Sequence, residues 1–180
     1  GEDVSSSLLA IALNSIEISS RSWRGWQLPI RTDSFHSNAK IEEINTNQII
    51  NSFKEGVKVA VVSGFQGMEQ AGRITTLGRG GSDTSAVAIA AAIDAERCDI
   101  YTDVSGIYTT DPRIKRNASK LKKISFEEML EMASLGANVL QTRAVELAMR
   151  HKVPIRVLNS FLKEEGTLVC DEEEIMEKNI

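Results

Sequence analysis

The chain has 180 residues, 42% hydrophobic and 26% charged, with 21 Lys and Arg against 25 Asp and Glu for a net charge of −4. That is the length of one ordinary domain, able to bury roughly 70% of its unfolded surface without disulfide or metal staples. The longest apolar run, Ala86 to Ile93, is far short of the roughly 20 residues a membrane-spanning helix needs, and the missing basic excess argues against a nucleic-acid binder.

The chain opens at Gly1-Glu2-Asp3 without an initiator Met, which reads as a chain beginning inside a domain. Val4, Leu8, Ile11 and Ala12 fall at helical spacing, and Leu9, Leu13 and Ile16 widen the stripe, so this helix is expected to be covered on several sides. Ile16, Ile18 and Trp23 suggest a short strand in the segment that runs to Arg31, with Trp23 and Trp26 as core or interface aromatics. Ser34 to Asn38 reads as a polar loop, and Ile44 to Phe53 as a short helix closed by Gly56. Val57 to Ser63 is the clearest strand, almost continuously apolar and β-branched, as a strand covered on both faces would be. A turn-rich stretch follows Gly64. Leu77-Gly78-Arg79-Gly80-Gly81-Ser82-Asp83 then runs into an alanine-rich helix ending near Ala95.

Cys98 to Thr102 is a second covered strand, followed by a loop from Asp103 to Arg113. Ser125 and Glu128 have the spacing of a capping box, and Phe126, Met129, Leu130 and Ala133 continue as a helix that Gly136 breaks. A further helix spans Val139 to His151 and stops before Pro154. Ile155 to Leu158 and Thr167 to Val169 read as short strands, and residues 171–180 as the acidic start of a linker. Strands alternating with helices predict an α/β fold with a largely parallel sheet covered on both faces. Ligands of such sheets sit beyond the carboxyl ends of the strands, after Ser63 and after Thr102.

The turn at Gly78 to Asp83 is the strongest local feature. Glycines let the backbone bend sharply and approach a ligand, and Ser82 is placed to cap the following helix. Free N–H groups at the helix start attract an anion. Arg79 offers a planar fork for a carboxylate or phosphate, and Asp83 an acceptor for an ammonium group. Together they suit a small zwitterion such as an amino acid; a plain capped turn with Arg79 in solvent is the competing reading. In the second loop, Asp103 stands where a nucleotide or metal would be met, Arg113 can meet phosphate and Tyr108 can cover a base or ribose; Asp111-Pro112 as a simple turn start competes. Arg113, Lys115, Arg116, Lys120, Lys122 and Lys123 form a basic run that most simply is a solvated face. His36 and His151 lie far apart and Cys98 and Cys170 do too, so no metal site or disulfide is expected, and reduced thiols suit a cytoplasmic protein. Ser63-Gly64-Phe65 lacks the Gly-x-Ser-x-Gly of a nucleophile elbow.

Long runs in order carry a more specific signal. Val61-Val62-Ser63-Gly64-Phe65-Gln66-Gly67, Thr75-Thr76-Leu77-Gly78-Arg79-Gly80-Gly81-Ser82-Asp83-Thr84, Tyr101-Thr102-Asp103-Val104 and Gly106 to Arg113 resemble the aspartokinases of the amino-acid kinase family. The opening Gly1-Glu2, Arg21-Ser22-Trp23 and Ala133-Ser134-Leu135-Gly136-Ala137 are similar as well, and the resemblance reaches about Val169. It implies a three-layer α/β/α sandwich of the carbamate kinase type, incomplete at its N-terminus, with residues 1–170 as a partial kinase domain. It implies transfer of the ATP γ-phosphoryl group to the β-carboxylate of L-aspartate, with Mg²⁺ accompanying the nucleotide and a homodimer as the assembly. By that resemblance Glu2, Arg79, Gly81, Ser82 and Asp83 hold the substrate, with Arg79 and Asp83 as the catalytic pair. Thr102, Asp103, Tyr108, Arg113, Asn138 and Val139 then hold the nucleotide.

The chain departs from the family's pattern in three places. It contains no Lys-Phe-Gly-Gly segment, which in the family cradles phosphates and supplies a catalytic lysine. It reads Gly136-Ala137-Asn138-Val139 where the family commonly has Gly-Ala-Lys-Val, and Gln141-Thr142 where His-Pro is frequent. It also lacks the regulatory modules that usually follow. These departures imply negligible kinase activity for the 180 residues alone. Two other readings remain: a non-catalytic binding module of the same fold, and a family member with another acceptor, such as uridylate or glutamate.

Overall fold

The β-branched run ending at Val62 forms a strand paired in parallel with the segment that carries Trp23. A computed structural model of the chain describes residues 1–137 and 139–176, which divide into two units, Gly1–Ile93 and Asp94–Ile180. In the first unit the order is α1 (Glu2–Ser15), β1 (Ser20–Trp23), β2 (Ile30–Thr32), β3 (Ile41–Ile44), α2 (Asn47–Lys54), β4 (Val59–Val62), β5 (Gln66–Met68), β6 (Ile74–Thr76) and α3 (Gly81–Ala92). In the second it is β7 (Cys98–Thr102), β8 (Lys123–Ser125), α4 (Phe126–Ser134), α5 (Thr142–His151), β9 (Ile155–Asn159), β10 (Thr167–Cys170) and α6 (Glu172–Met176).

The first unit holds two sheets. One is the parallel pair β1–β4, on which α1 packs; the other has the order β3-β2-β5-β6. Trp23, Leu28 and Ile49 form its core, with Ile44, Ala60, Val62 and Ile89 against them. The strand read as covered on both faces is only half-buried throughout β4, although α1 packs on the β1–β4 pair and Ala60 and Val62 reach the core. Likewise α1 buries Ser6 and Ala10 and leaves Val4, Leu8, Leu9, Ile11 and Ile16 exposed, so the expected cover on several sides is not met among the described residues. Trp26 is also largely exposed. The helix expected from Ile44 starts at Asn47 instead, since Ile44 ends β3 and pairs with Ile30 of β2.

The second unit is one sheet of order β7-β9-β10-β8, with α4 packed on β8, β10 and α5. Phe126, Met129, Val145, Ile155, Val157 and Val169 are its buried centre. The capping box is made as the spacing predicts: the Glu128 N–H donates to Ser125 Oγ at 3.1 Å, and the Ser125 N–H to Glu128 Oε2 at 3.0 Å. Across the β7–β9 pair, Asp99 stands beside Arg156 and is also held by Arg97 Nε at 2.7 Å. Burial opposes its ionisation, but the hydrogen bonds from Arg156 and Arg97 prevail and hold its carboxyl below the usual range. Among the described residues, β1–β4, β2–β5, β7–β9 and β8–β10 are parallel, while β2–β3, β5–β6 and β9–β10 are antiparallel. The result is the expected α/β class, with mostly parallel strands flanked by helices. Sequence pattern alone missed the short strands β2, β3, β5, β6 and β8. Segments of three or four residues carry too little periodicity, and their partner strands fix them instead. No described helix is long and apolar enough to cross a membrane.

Candidate active site

Strand β4 ends in Ser63 and Gly64, and the chain then turns at Phe65, whose φ of +69° is uncommon for a bulky residue. Three contacts hold that turn against the start of α3. The Phe65 N–H donates to Ser85 Oγ at 2.9 Å, the Ser85 hydroxyl donates to the Gly81 carbonyl at 2.7 Å, and the Leu77 N–H donates to the Phe65 carbonyl at 3.0 Å. The aromatic ring lies so close over Gly81 that a β-carbon there would come 2.8 Å from Phe65 Cδ2. Backbone strain persists where the surroundings over-determine it, and such places cluster at functional sites.

The Gly-rich turn is sharp for the reason the sequence suggests: Gly78 and Gly80 have φ of +75° and +69° on either side of Arg79. The cap expected of Ser82 is not made. Gly80 occupies the cap position and α3 starts at Gly81, so the Ser82 hydroxyl lies past the cap and is free for another partner. It donates to Glu2 Oε1 at 3.1 Å, joining residues 80 positions apart. Glu2, Gly64, Ser82 and Ser85, with an apolar floor of Ala60, Val62, Ala86 and Ile89, line a cavity of 430 Å³. Beside it, the Ser6 and Ser63 hydroxyls share a buried hydrogen bond of 3.0 Å that ties α1 to the end of β4.

Arg79 is exposed, and among the described residues it makes no ion pair. Asp83 is half-buried and its carboxylate has no hydrogen bond or ion pair among the described residues; burial pushes its carboxyl above the usual carboxylate range. Of the five residues expected to hold the substrate, Glu2 and Ser82 meet directly at the cavity. Arg79 and Asp83 share their turn without lining it, and Gly81 is buried under Phe65 and Leu77.

In the second unit, β7 delivers Thr102 and Asp103 to its carboxyl end. The Thr102 hydroxyl donates to Asp103 Oδ1 at 3.2 Å, and Asn159, opposite Thr102 on β9, donates to the Asp103 carbonyl at 3.2 Å. Tyr108 is half-buried and forms an isolated bridge with Lys120. Arg113 is exposed but not free. Its Nε and Nη2 reach the two Asp111 oxygens at 3.2 and 3.0 Å, and its N–H donates to Oδ1 at 2.8 Å. Those hydrogen bonds hold the Asp111 carboxyl below its usual range. The loop is anchored by Thr167, whose hydroxyl accepts from the Ile107 N–H at 2.8 Å and donates to the Leu121 carbonyl at 2.6 Å. The basic run is partly engaged within the protein: Lys120 reaches Glu164 at 3.2 Å, and Lys123 the Glu174 carbonyl at 2.8 Å. Val139 is half-buried before α5, and Asn138 lies outside the described residues. A wider groove of 790 Å³ passes Tyr101, Asn159 and Phe161, but Thr102, Asp103, Tyr108 and Arg113 do not line it.

Sequence reading missed Ser85, Asn159 and Thr167. Nothing in the spacing of an isolated Ser, Asn or Thr marks it as an anchor, because each acts on backbone distant in sequence. Among the described residues, no group of three His, Cys, Asp or Glu side chains forms a metal site.

Comparison with known proteins adds to this geometry. The chain is 56% identical over 181 residues to an aspartate kinase of Pseudomonas fluorescens and 52% identical over 180 residues to aspartokinase 2 of Bacillus subtilis. Both matches cover all of this chain and 44% of the relative, so the chain spans less than half the length of these relatives. Escherichia coli aspartokinase III, solved in complex with aspartate and ADP, superposes with a TM-score of 0.86 at 38% identity over 95% of this chain and 39% of that one. A UMP kinase from Bacillus anthracis, at 18% identity and a TM-score of 0.65, shares the fold. The family model described as the amino acid kinase family matches residues 1–159, so the chain belongs to the amino acid kinase family.

Proposed function

We propose that this chain is the aspartate- and nucleotide-holding portion of an aspartate kinase, which converts ATP and L-aspartate to 4-phospho-L-aspartate and ADP, the first step toward lysine, threonine and methionine. The observation that carries the reading is the Ser82–Glu2 hydrogen bond, which brings the glycine-rich turn and the start of α1 to one cavity. Relatives more than half identical bear the same activity in their names, whereas the uridylate kinases resemble this chain at the level of fold.

The chemistry suits these residues. The β-carboxylate of aspartate has a pKa near 4, so at neutral pH it is already a nucleophile and needs no general base. One of its oxygens attacks the γ-phosphorus, the bond to the β,γ-bridging oxygen breaks, and ADP leaves. What remains is to orient two anions and to offset their charge. Arg79 presents its fork to a substrate carboxylate. The unpartnered Asp83 receives the α-ammonium group, whose charge offsets the cost of its half-buried carboxylate, and Glu2 and Ser82 fix the remaining polar atoms. Thr102, Asp103, Tyr108, Arg113 and Val139 hold the nucleotide, with Arg113 exchanging Asp111 for phosphate. Mg²⁺ bound with the nucleotide would supply positive charge at the phosphates. A cytoplasmic setting and a homodimer complete the proposal, supported by the two buried free thiols and the exposed apolar stripe of α1.

Titration calorimetry of the chain with L-aspartate tests the reading, and sedimentation of the same preparation reads the dimer. Heat of binding for aspartate is expected, and its absence overturns the assignment. With ATP, aspartate and hydroxylamine, no aspartyl hydroxamate above background is expected. The family's Lys-Phe-Gly-Gly lysine is not in this sequence and Asn138 replaces a second lysine, each such contact typically being worth about 10² in rate.

A further inference from the structure

We propose that Gly64 is a specificity-determining residue: it is glycine because the ligand, not the fold, needs the space in front of its α-carbon. The inference rests on the reading of the cavity as an aspartate site. Gly64 is absent from the glycines with positive φ, so its backbone does not call for glycine. A β-carbon built on it would lie 3.5 Å from Glu2 Oε2, 3.5 Å from Ser82 Cα and 3.6 Å from Ser85 Cβ, all ordinary van der Waals contacts. The protein by itself therefore has room for alanine.

The nearby glycines differ. At Gly67 the β-carbon would come 2.3 Å from Thr32 Cγ2 and 2.9 Å from the Ile30 carbonyl, and at Gly81 it would meet both Phe65 and Leu77 inside 3.0 Å. Packing dictates glycine at those two positions. The room in front of Gly64 is instead part of the 430 Å³ cavity into which Glu2 and Ser82 open. A methyl group there would stand against both polar partners, where a small diacid using them must lie. Bare backbone at the end of a strand is also what lets a ligand approach closely.

The test uses the 180-residue chain, its Gly64→Ala variant and Gly67→Ala as a packing control. Without ligand, the unfolding midpoint of Gly64→Ala is expected to equal or exceed that of the unaltered chain, since alanine restricts the unfolded state. Gly67→Ala is expected to lower it. In calorimetry, Gly64→Ala should weaken aspartate binding by about tenfold or more, the scale on which one methyl group discriminates in a fitted pocket. If the unaltered chain binds aspartate and Gly64→Ala binds it within twofold, the inference fails while the aspartate reading stands. A Gly64→Ala variant that loses its midpoint as Gly67→Ala does, or does not fold, also overturns it, because glycine is then required by the fold. No aspartate binding by the unaltered chain removes the aspartate reading and this inference with it.

Discussion

Asp83 in the first unit and Asp111 in the second each have an arginine close in sequence, yet their charges meet different fates. Asp111 takes hydrogen bonds from both the guanidinium and the backbone of Arg113, and its carboxyl is held low. Asp83 has no partner among the described residues, Arg79 is exposed, and burial pushes the carboxyl up. A local ion pair between exposed side chains satisfies itself and contributes little to stability. A half-buried carboxylate left unmet is a cost to the fold, and the cost is recovered when a cation arrives. The difference separates a surface that must rearrange to bind from one already organised around a missing charge.

Removing Arg79 should sharpen that contrast most. Arg79→Ala is expected to lower aspartate affinity by about 10²-fold in calorimetry, the loss of a charge-assisted bidentate contact. Because the side chain is exposed, stability should move by no more than about 0.5 kcal/mol in urea unfolding. A large stability loss with intact binding would make Arg79 a structural residue and erase the distinction between the two regions.

Next in size is Thr167→Val, which keeps the shape of the side chain but strands the Ile107 N–H and the Leu121 carbonyl. A cost of about 2 kcal/mol is expected from two polar groups losing their partner. Nucleotide binding should weaken with it, because the loop bearing Tyr108 and Arg113 loses its anchor. Unchanged nucleotide affinity in the destabilised variant would separate that loop from the nucleotide.

The smallest effect concerns Asp83 itself. Its carboxyl is raised in the folded state, so between the ordinary value of 3.8 and that raised value the folded chain binds more protons than the unfolded one. Stability attributable to Asp83 therefore falls as pH rises through that window, and the deficit persists at neutral pH. Asp83→Asn should gain about 0.5 kcal/mol at pH 7, small because an acid in the first turn of α3 also benefits from the helix dipole. The gain should vanish as pH falls toward 3.8, and aspartate affinity should drop at neutral pH. A gain independent of pH in urea titrations would show that the charge is not its source.

Much of the first unit's site was legible in the sequence because its signals are local. Glycines around Arg79 announce a sharp turn, and the turn has positive φ on both sides. The partner of Ser82 is not a local matter. A serine near a helix start reads as a cap, yet a shift of two positions in where α3 begins turned it toward Glu2. In the second unit Thr102 and Asp103 follow from the strand before them. That Arg113 is already paired depends on the rotamers of two exposed side chains, which no spacing specifies.

The sequence by itself determined what near neighbours decide: the capping box of Ser125 and Glu128, the strand ending at Val62, the bend at Gly78 and Gly80, and the α/β alternation. Tertiary structure alone decided that Ser82 meets Glu2, that Thr167 holds the Ile107–Leu121 loop, and that a methyl group fits at Gly64 but not at Gly67. The physical reason is range. Backbone preferences and capping act within one turn of chain, whereas these contacts join segments up to 80 residues apart and depend on a few tenths of an ångström of packing.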